Sequence, residues 1–193
     1  MQYDPIKNSL GKVFNSTPFL RRLFYRLLDL LLLRSWHIRR ELKKLNKEGF
    51  KPEEIVDAGS GFGQYVYYLS EHYPEAQVTG LDIKQEQVDD CNHFFSVIKR
   101  DNKVHFSYAD LTKLEEHEAW DLALSVDVME HIEDDRTVFH HLYKGLKPGG
   151  ILLISTPSDR GGSDVHHEHD ESFIDEHVRD GYGVEEIDEK LRK

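Results

Sequence analysis

A single cysteine, Cys91, is all the thiol chemistry that this 193-residue chain offers. No internal disulfide can form, and one thiol in a helical stretch is expected as a partly buried group suited to a reducing cytoplasm. Long apolar runs are also missing. A stretch such as Leu30–Leu33 is far too short to span a bilayer. The first apolar region starts well past residue 15 and is studded with arginines, unlike a secretory signal. Basic charge is the third shortage: 36 Asp/Glu against 25 Lys/Arg give a net charge of −11. The deficit is uneven. Residues 1–51 hold 12 Lys/Arg against 4 Asp/Glu, a balance of +8, while residues 52–193 hold 13 against 32, a balance of −19. A body this acidic repels a phosphate backbone, which argues against nucleic acid as the main substrate.

What is present suffices for one core-forming domain, with 38% hydrophobic residues. The charge shift divides the chain into a basic amphipathic arm over residues 1–51 and a domain over 52–193. In the arm, Ser16-Thr17-Pro18 reads as a helix start, with a hydroxyl cap and proline in the first turn. Leu20, Leu23, Phe24, Leu27, Leu28 and Leu31 recur at helical spacing, with Arg21, Arg22 and Arg26 on another face. A bend is expected around Arg34-Ser35, then a second helix from Trp36 to a glycine cap at Gly49. Three roles suit the arm: a helix packed over the body, a lid over an apolar substrate, or a membrane-surface anchor through residues 16–48. The third would place a cytoplasmic protein at the inner face of a membrane.

From residue 53, strand and helix signals alternate. Strands are expected over 54–58, 77–83, 104–108, 121–128 and 150–156, with helices over 64–71, 85–99 and 137–146. The alternation predicts an α/β fold, a mostly parallel sheet with helices on both faces. At the first strand's end stands Asp57-Ala58-Gly59-Ser60-Gly61-Phe62-Gly63. A strand, a tight glycine turn and a helix form the unit at which an open α/β sheet offers backbone N–H groups to a ligand. A dinucleotide fingerprint needs G-x-G-x-x-G, but counting from Gly59 and Gly61 the third position is Gln64. Asp82 follows Gly59 by 23 residues and closes the second strand, where a carboxylate can accept two ribose hydroxyls or cap the next helix.

The glycine spacing after Asp57 resembles motif I of the class I S-adenosylmethionine (SAM) methyltransferases. Three further segments follow in the order of that family. Tyr108-Ala109-Asp110-Leu111 lies after the third strand. Asp121 to Ile132 is similar to the "fDlv…vlEHi" segment of the type 11 small-molecule group, and Leu146 to Pro157 matches its "LkpGG…l" turn and strand. The resemblance implies a Rossmann-like fold with SAM as cofactor. Gly59, Ser60, Gly61 and Gly63 would pass its methionine part and Asp57 its amino group. Asp82 would hold the ribose, Ile83 would pack the adenine, and Asp110 with Leu111 would set the adenine edge. Val126 and Asp127 would floor the site, with Phe62 nearby.

Methyl transfer needs a base only when the acceptor loses a proton. Glu130, His131, His167 and His169 are candidates, against the reading that Glu130-His131 opens a helix and ties down a neighbouring loop. The His166–Asp170 run has metal-binding residue types but sits in a glycine- and histidine-rich loop, so no metal is expected. Its Gly161-Gly162 pair would suit the hinge of a substrate lid. The segment from Gly183 looks like the helix before the usual strand 6/7 hairpin. The expectation is therefore a truncated, five-stranded version of the fold, whose open edge something else, including another copy, could cover. The function that follows is methyl transfer to a small, apolar or amphipathic acceptor. The rival is a non-catalytic SAM-binding domain for regulation or assembly, with an NAD-dependent enzyme a distant third.

Overall fold

The computed structural model describes residues 17–159, 178–179 and 181–192. Helix α1 (Pro18–Leu31) starts as expected: the Leu20 N–H donates to Thr17 Oγ1 at 3.3 Å, and Pro18 opens the first turn. The bend into α2 (Leu33–Lys47) comes at Leu32, whose backbone is extended. That is earlier than the expected Arg34-Ser35. Ser35 is buried with its hydroxyl 3.2 Å from that of Tyr65, so its polarity marks a tertiary contact and not the break. Gly49, at φ +91°, follows α2 as the expected glycine stop.

The body runs β1 (Glu54–Ala58), α3 (Gln64–His72), β2 (Gln77–Asp82), α4 (Gln85–Val97), β3 (Val104–Tyr108), β4 (Trp120–Val126), α5 (Asp135–Gly145), β5 (Leu146–Ser155) and α6 (Val184–Leu191). Short 3-10 turns lie at Leu111–Lys113 and Met129–His131. The five strands form one sheet in the order β3-β2-β1-β4-β5, and every pairing is parallel. The fold is thus the expected Rossmann-like α/β sheet, five-stranded among the described residues. Its order reverses between β1 and β4, and such a switch point opens a crevice at the strands' carboxyl ends.

Three strands differ from their expected spans, β2 by one residue, since it ends at Asp82. β5 begins at Leu146, and its register slips between the Trp120–Leu146 and Leu122–Ile151 pairs, which takes Gly149-Gly150 into an irregular stretch of the strand. β4 stops at Val126 because Asp127 turns the chain at φ +53°.

Side chains alternate between the two sheet faces. Ile55 packs with Val66, Leu69, Phe95 and Leu122, whereas Val56 and Ala58 pack with Ala123, Val138 and Leu142. The arm joins the first of these cores through Tyr25, Ile38 and Leu42. The apolar positions of α1 are divided, with Leu20, Phe24 and Leu28 half-buried. In α1 the buried residues are Arg21 and Tyr25, while Leu23, Leu27 and Leu31 stay exposed. Periodicity located the helix but could not orient it, because the buried arginine is satisfied by partners remote in sequence.

Candidate functional site

The glycine turn grows out of β1, which is buried almost throughout. Both Gly59 and Ser60 donate their N–H groups to the Leu81 carbonyl at 2.8 Å, stitching the turn to β2. The Gly63 N–H donates to Ser60 O at 2.9 Å and Gly63 caps α3 at φ +75°. At Gly59 and Gly61 glycine is required for different reasons. A Cβ on Gly59, at φ +83°, would lie 2.3 Å from Val128 Cγ2, so packing excludes it. A Cβ on Gly61, at φ +50°, would meet nothing within 4 Å and would instead project into open space.

Two carboxylates face this turn. Asp57 is 1% exposed, and its Oδ2 has no hydrogen-bond partner. Burial, with Asp82 adding repulsion, pushes its carboxyl up to about 8. Asp82 meets the helix-start role that the sequence offered and adds a bond to the glycine turn that it did not. Its Oδ2 accepts the Gly61 N–H at 2.8 Å, and its Oδ1 accepts the Lys84 N–H at 2.9 Å ahead of α4. Each carboxylate oxygen has a second lone pair for a ligand hydroxyl. Ile83 beside it is 57% exposed, an apolar surface open to a ring. Ser60 Oγ is a further buried atom without a partner.

The other expected residues gather at the same ends of the strands. Asp110 caps the 3-10 turn, accepting from the Thr112 N–H at 3.0 Å and the Thr112 hydroxyl at 2.7 Å. Those bonds and Lys113 at 2.9 Å draw its carboxyl down to about 2. Leu111 is buried beneath it. Val126 ends β4 in the core, and Asp127 forms a 2.5 Å ion pair with Arg34 of the arm. Phe62 differs from its neighbours in the turn. Its ring meets Phe24 edge-on at 6.5 Å, so it faces the arm.

Glu130 is 1% exposed and accepts from the Thr156 hydroxyl at 3.3 Å, tying the exit of β4 to that of β5. His131 is exposed. His167 and His169, with the proposed Gly161-Gly162 hinge, lie outside the described residues. Among the described residues, no cluster of His, Cys, Asp and Glu is arranged to hold a metal ion.

Sequence reasoning missed the clamp that holds the turn from outside. Arg21 donates Nη2–H to the Phe62 carbonyl at 2.9 Å and Nη1–H to Asp90 at 2.6 Å, while its Nε–H reaches the Tyr25 hydroxyl at 2.7 Å. The Tyr25 hydroxyl also donates to the Phe62 carbonyl. Farther along, Gln64 donates to Asp29 at 2.8 Å, and Asp29 pairs with Arg39. Cys91 packs beneath, where burial pushes its thiol up to about 12, so it is not a nucleophile.

Residues 55–150 match the family described as a methyltransferase domain. The chain carries a class I methyltransferase domain of the SAM-dependent family. Phosphoethanolamine N-methyltransferase 1 of Triticum aestivum is 35% identical over 107 residues, covering 53% of this chain and 20% of that protein. The malonyl-[acyl-carrier protein] O-methyltransferase of Hahella chejuensis is 29% identical over 130 residues, covering 66% of this chain and 44% of that protein. The chain thus spans less than half the length of either relative. Among solved structures, phosphoethanolamine N-methyltransferase 2 of Haemonchus contortus in complex with SAM superposes with a TM-score of 0.62 at 22% identity. The superposition covers 72% of this chain and 32% of that one. The fold of this methyltransferase domain is therefore the Rossmann-like one, and its family uses SAM.

Proposed function

We propose that the chain transfers the methyl group of SAM to a small, apolar or amphipathic acceptor. The observation that carries this reading is Asp57. A buried carboxylate oxygen without a partner, at the end of β1 and beside a glycine turn, is a site prepared for an ammonium group. The residues present fit SAM: Asp57 for its amino group, Gly61 for close backbone approach, Asp82 for its ribose hydroxyls and Ile83 for its adenine. Asp110 and Leu111 would border the adenine edge, and Val126 and Asp127 would lie toward the transferring end. When bound, SAM supplies an activated methyl carbon, so the protein's task is to position the acceptor and exclude water.

Glu130 suits a positioning role, since it is buried and engaged with Thr156. His131, an exposed residue, is the better candidate to take a proton from an acceptor. The buried Cys91 thiol suits a reducing, cytoplasmic setting. The relatives are named for small-molecule and carrier-bound acceptors, which supports an acceptor of that size here. Half-buried residues along edge strand β5 leave room for a covering partner, and sedimentation would reveal a dimer.

Calorimetric titration with SAM and with its demethylated product tests the donor site. Binding of both is expected, and binding of neither would end the proposal. Turnover of labelled SAM with a cell extract then separates an enzyme from a domain that only binds.

A further inference from the structure

We infer that the outer face of the N-terminal arm docks on an anionic lipid bilayer. This goes beyond methyl transfer and does not depend on it. Because α1 turns Arg21 and Tyr25 inward, Phe19, Leu23, Leu27, Leu30 and Leu31 are left outside, each between 45% and 73% exposed. At 100° per residue these positions fall within a sector of about 120°, one continuous stripe. Beyond the bend, Leu33 and Trp36 extend it, at 69% and 54% exposed. The Trp36 indole N–H donates to the Asp29 carbonyl at 2.6 Å, so its ring is exposed with its polar atom already satisfied. An indole so placed suits the boundary between headgroups and acyl chains.

Charge selects the occupant. Arg22 and Arg26 are exposed beside the stripe. A groove of about 540 Å³ on the arm places Trp36 among Arg40, Lys43, Lys44 and Lys47, and its one acidic lining residue, Asp29, is paired with Arg39, which leaves a setting for a phosphate headgroup. Residues 1–51 carry +8 against −19 for residues 52–193, so an anionic surface attracts the arm and repels the body, orienting the molecule. A second copy seated on this stripe would set one cationic arm against another. No described helix is long and apolar enough to cross a membrane, so the contact is a surface one.

The test is flotation of the full chain with vesicles of mixed phosphatidylglycerol and phosphatidylcholine, against vesicles of phosphatidylcholine alone. Binding is expected to the anionic vesicles only and to weaken with salt. The L23Q/L27Q/L30Q variant should lose it. The K43Q/K44Q/K47Q variant should bind more weakly, by about fivefold for each cation removed. Circular dichroism and SAM titration of both variants check that the fold and the donor site persist, which keeps failure here distinct from failure of the methyltransferase reading. No binding to anionic vesicles, or binding unchanged by L23Q/L27Q/L30Q, would overturn the inference. So would a dimer in sedimentation that this variant dissolves without any vesicle binding, since the stripe's partner would then be a second copy.

Discussion

Asp57 makes the donor site sensitive to pH. With its carboxyl pushed up to about 8, the free protein holds it largely protonated at neutral pH, whereas an ammonium ligand requires the carboxylate. SAM affinity should therefore rise as pH increases toward 8, and binding at pH 7 should release close to one proton. Calorimetry in buffers of different ionisation enthalpy reads that number. The same shift bears on stability. A raised folded-state value favours folding below the ordinary carboxylate range and progressively less as pH rises through 8. Asp57→Asn should therefore melt higher than the parent above pH 8 while losing SAM binding. The two key glycines separate packing from ligand approach. Gly59→Ala, which meets Val128, should cost about 2–4 kcal/mol of stability. Gly61→Ala has open space and should cost only about 1 kcal/mol, from its positive φ, yet weaken SAM binding. Denaturant melts paired with titrations distinguish the two.

Among the elements, α1 does more than cover the sheet. Arg21 and Tyr25 converge on the Phe62 carbonyl, and Arg34 meets Asp127 on the far side of the switch point. The arm thereby holds both margins of the site. Burial opposes charge on Arg21, but Tyr25, Cys91 and Asp90 more than restore it, so the guanidinium remains a cation at every working pH. Arg21→Ala leaves the Phe62 carbonyl and Asp90 short of a donor and should destabilise by about 2–4 kcal/mol, discounted for the partial exposure of Asp90. Hydrogen exchange should then quicken in α1 and in the glycine turn, and SAM affinity should fall. Unchanged exchange in the turn would show that the clamp is dispensable. None of this was legible in the heptad-like leucines. They mark a helix whichever face it buries, and the choice of face depended on acceptors 41 and 69 positions away.

Across the whole molecule, a second buried charge cluster ties α6 to the body. Asp135, only 3% exposed, accepts from the Tyr182 hydroxyl and Lys190 at 2.6 Å each and pairs with Arg179. Burial pushes its carboxyl up, but Lys190, Tyr182 and Arg179 bring it below the usual range on balance. A depressed value contributes stability above the ordinary carboxylate pKa, and that contribution disappears as pH falls below about 4. Asp135→Asn should cost about 2 kcal/mol at pH 7, since Arg179 and Lys190 both lose its carboxylate and Lys190 keeps only Glu186. The gap between variant and parent should close on acidification. Limited proteolysis around residues 184–191 would report release of α6.

Local pattern alone determined the β–α alternation, the glycine turn, the acidic residues closing β2 and following β3, and hence the methyltransferase class. Each is a short-range requirement, met by residues within a few positions of one another. Tertiary structure decided what those residues do together. It left Asp57 Oδ2 buried without a partner, divided Asp82 between Gly61 and Lys84, and turned Leu23, Leu27, Leu30 and Leu31 of α1 outward. Such outcomes depend on which distant groups arrive as hydrogen-bond partners. Burial makes those partners decisive, because a charge taken from water must find one or shift its protonation.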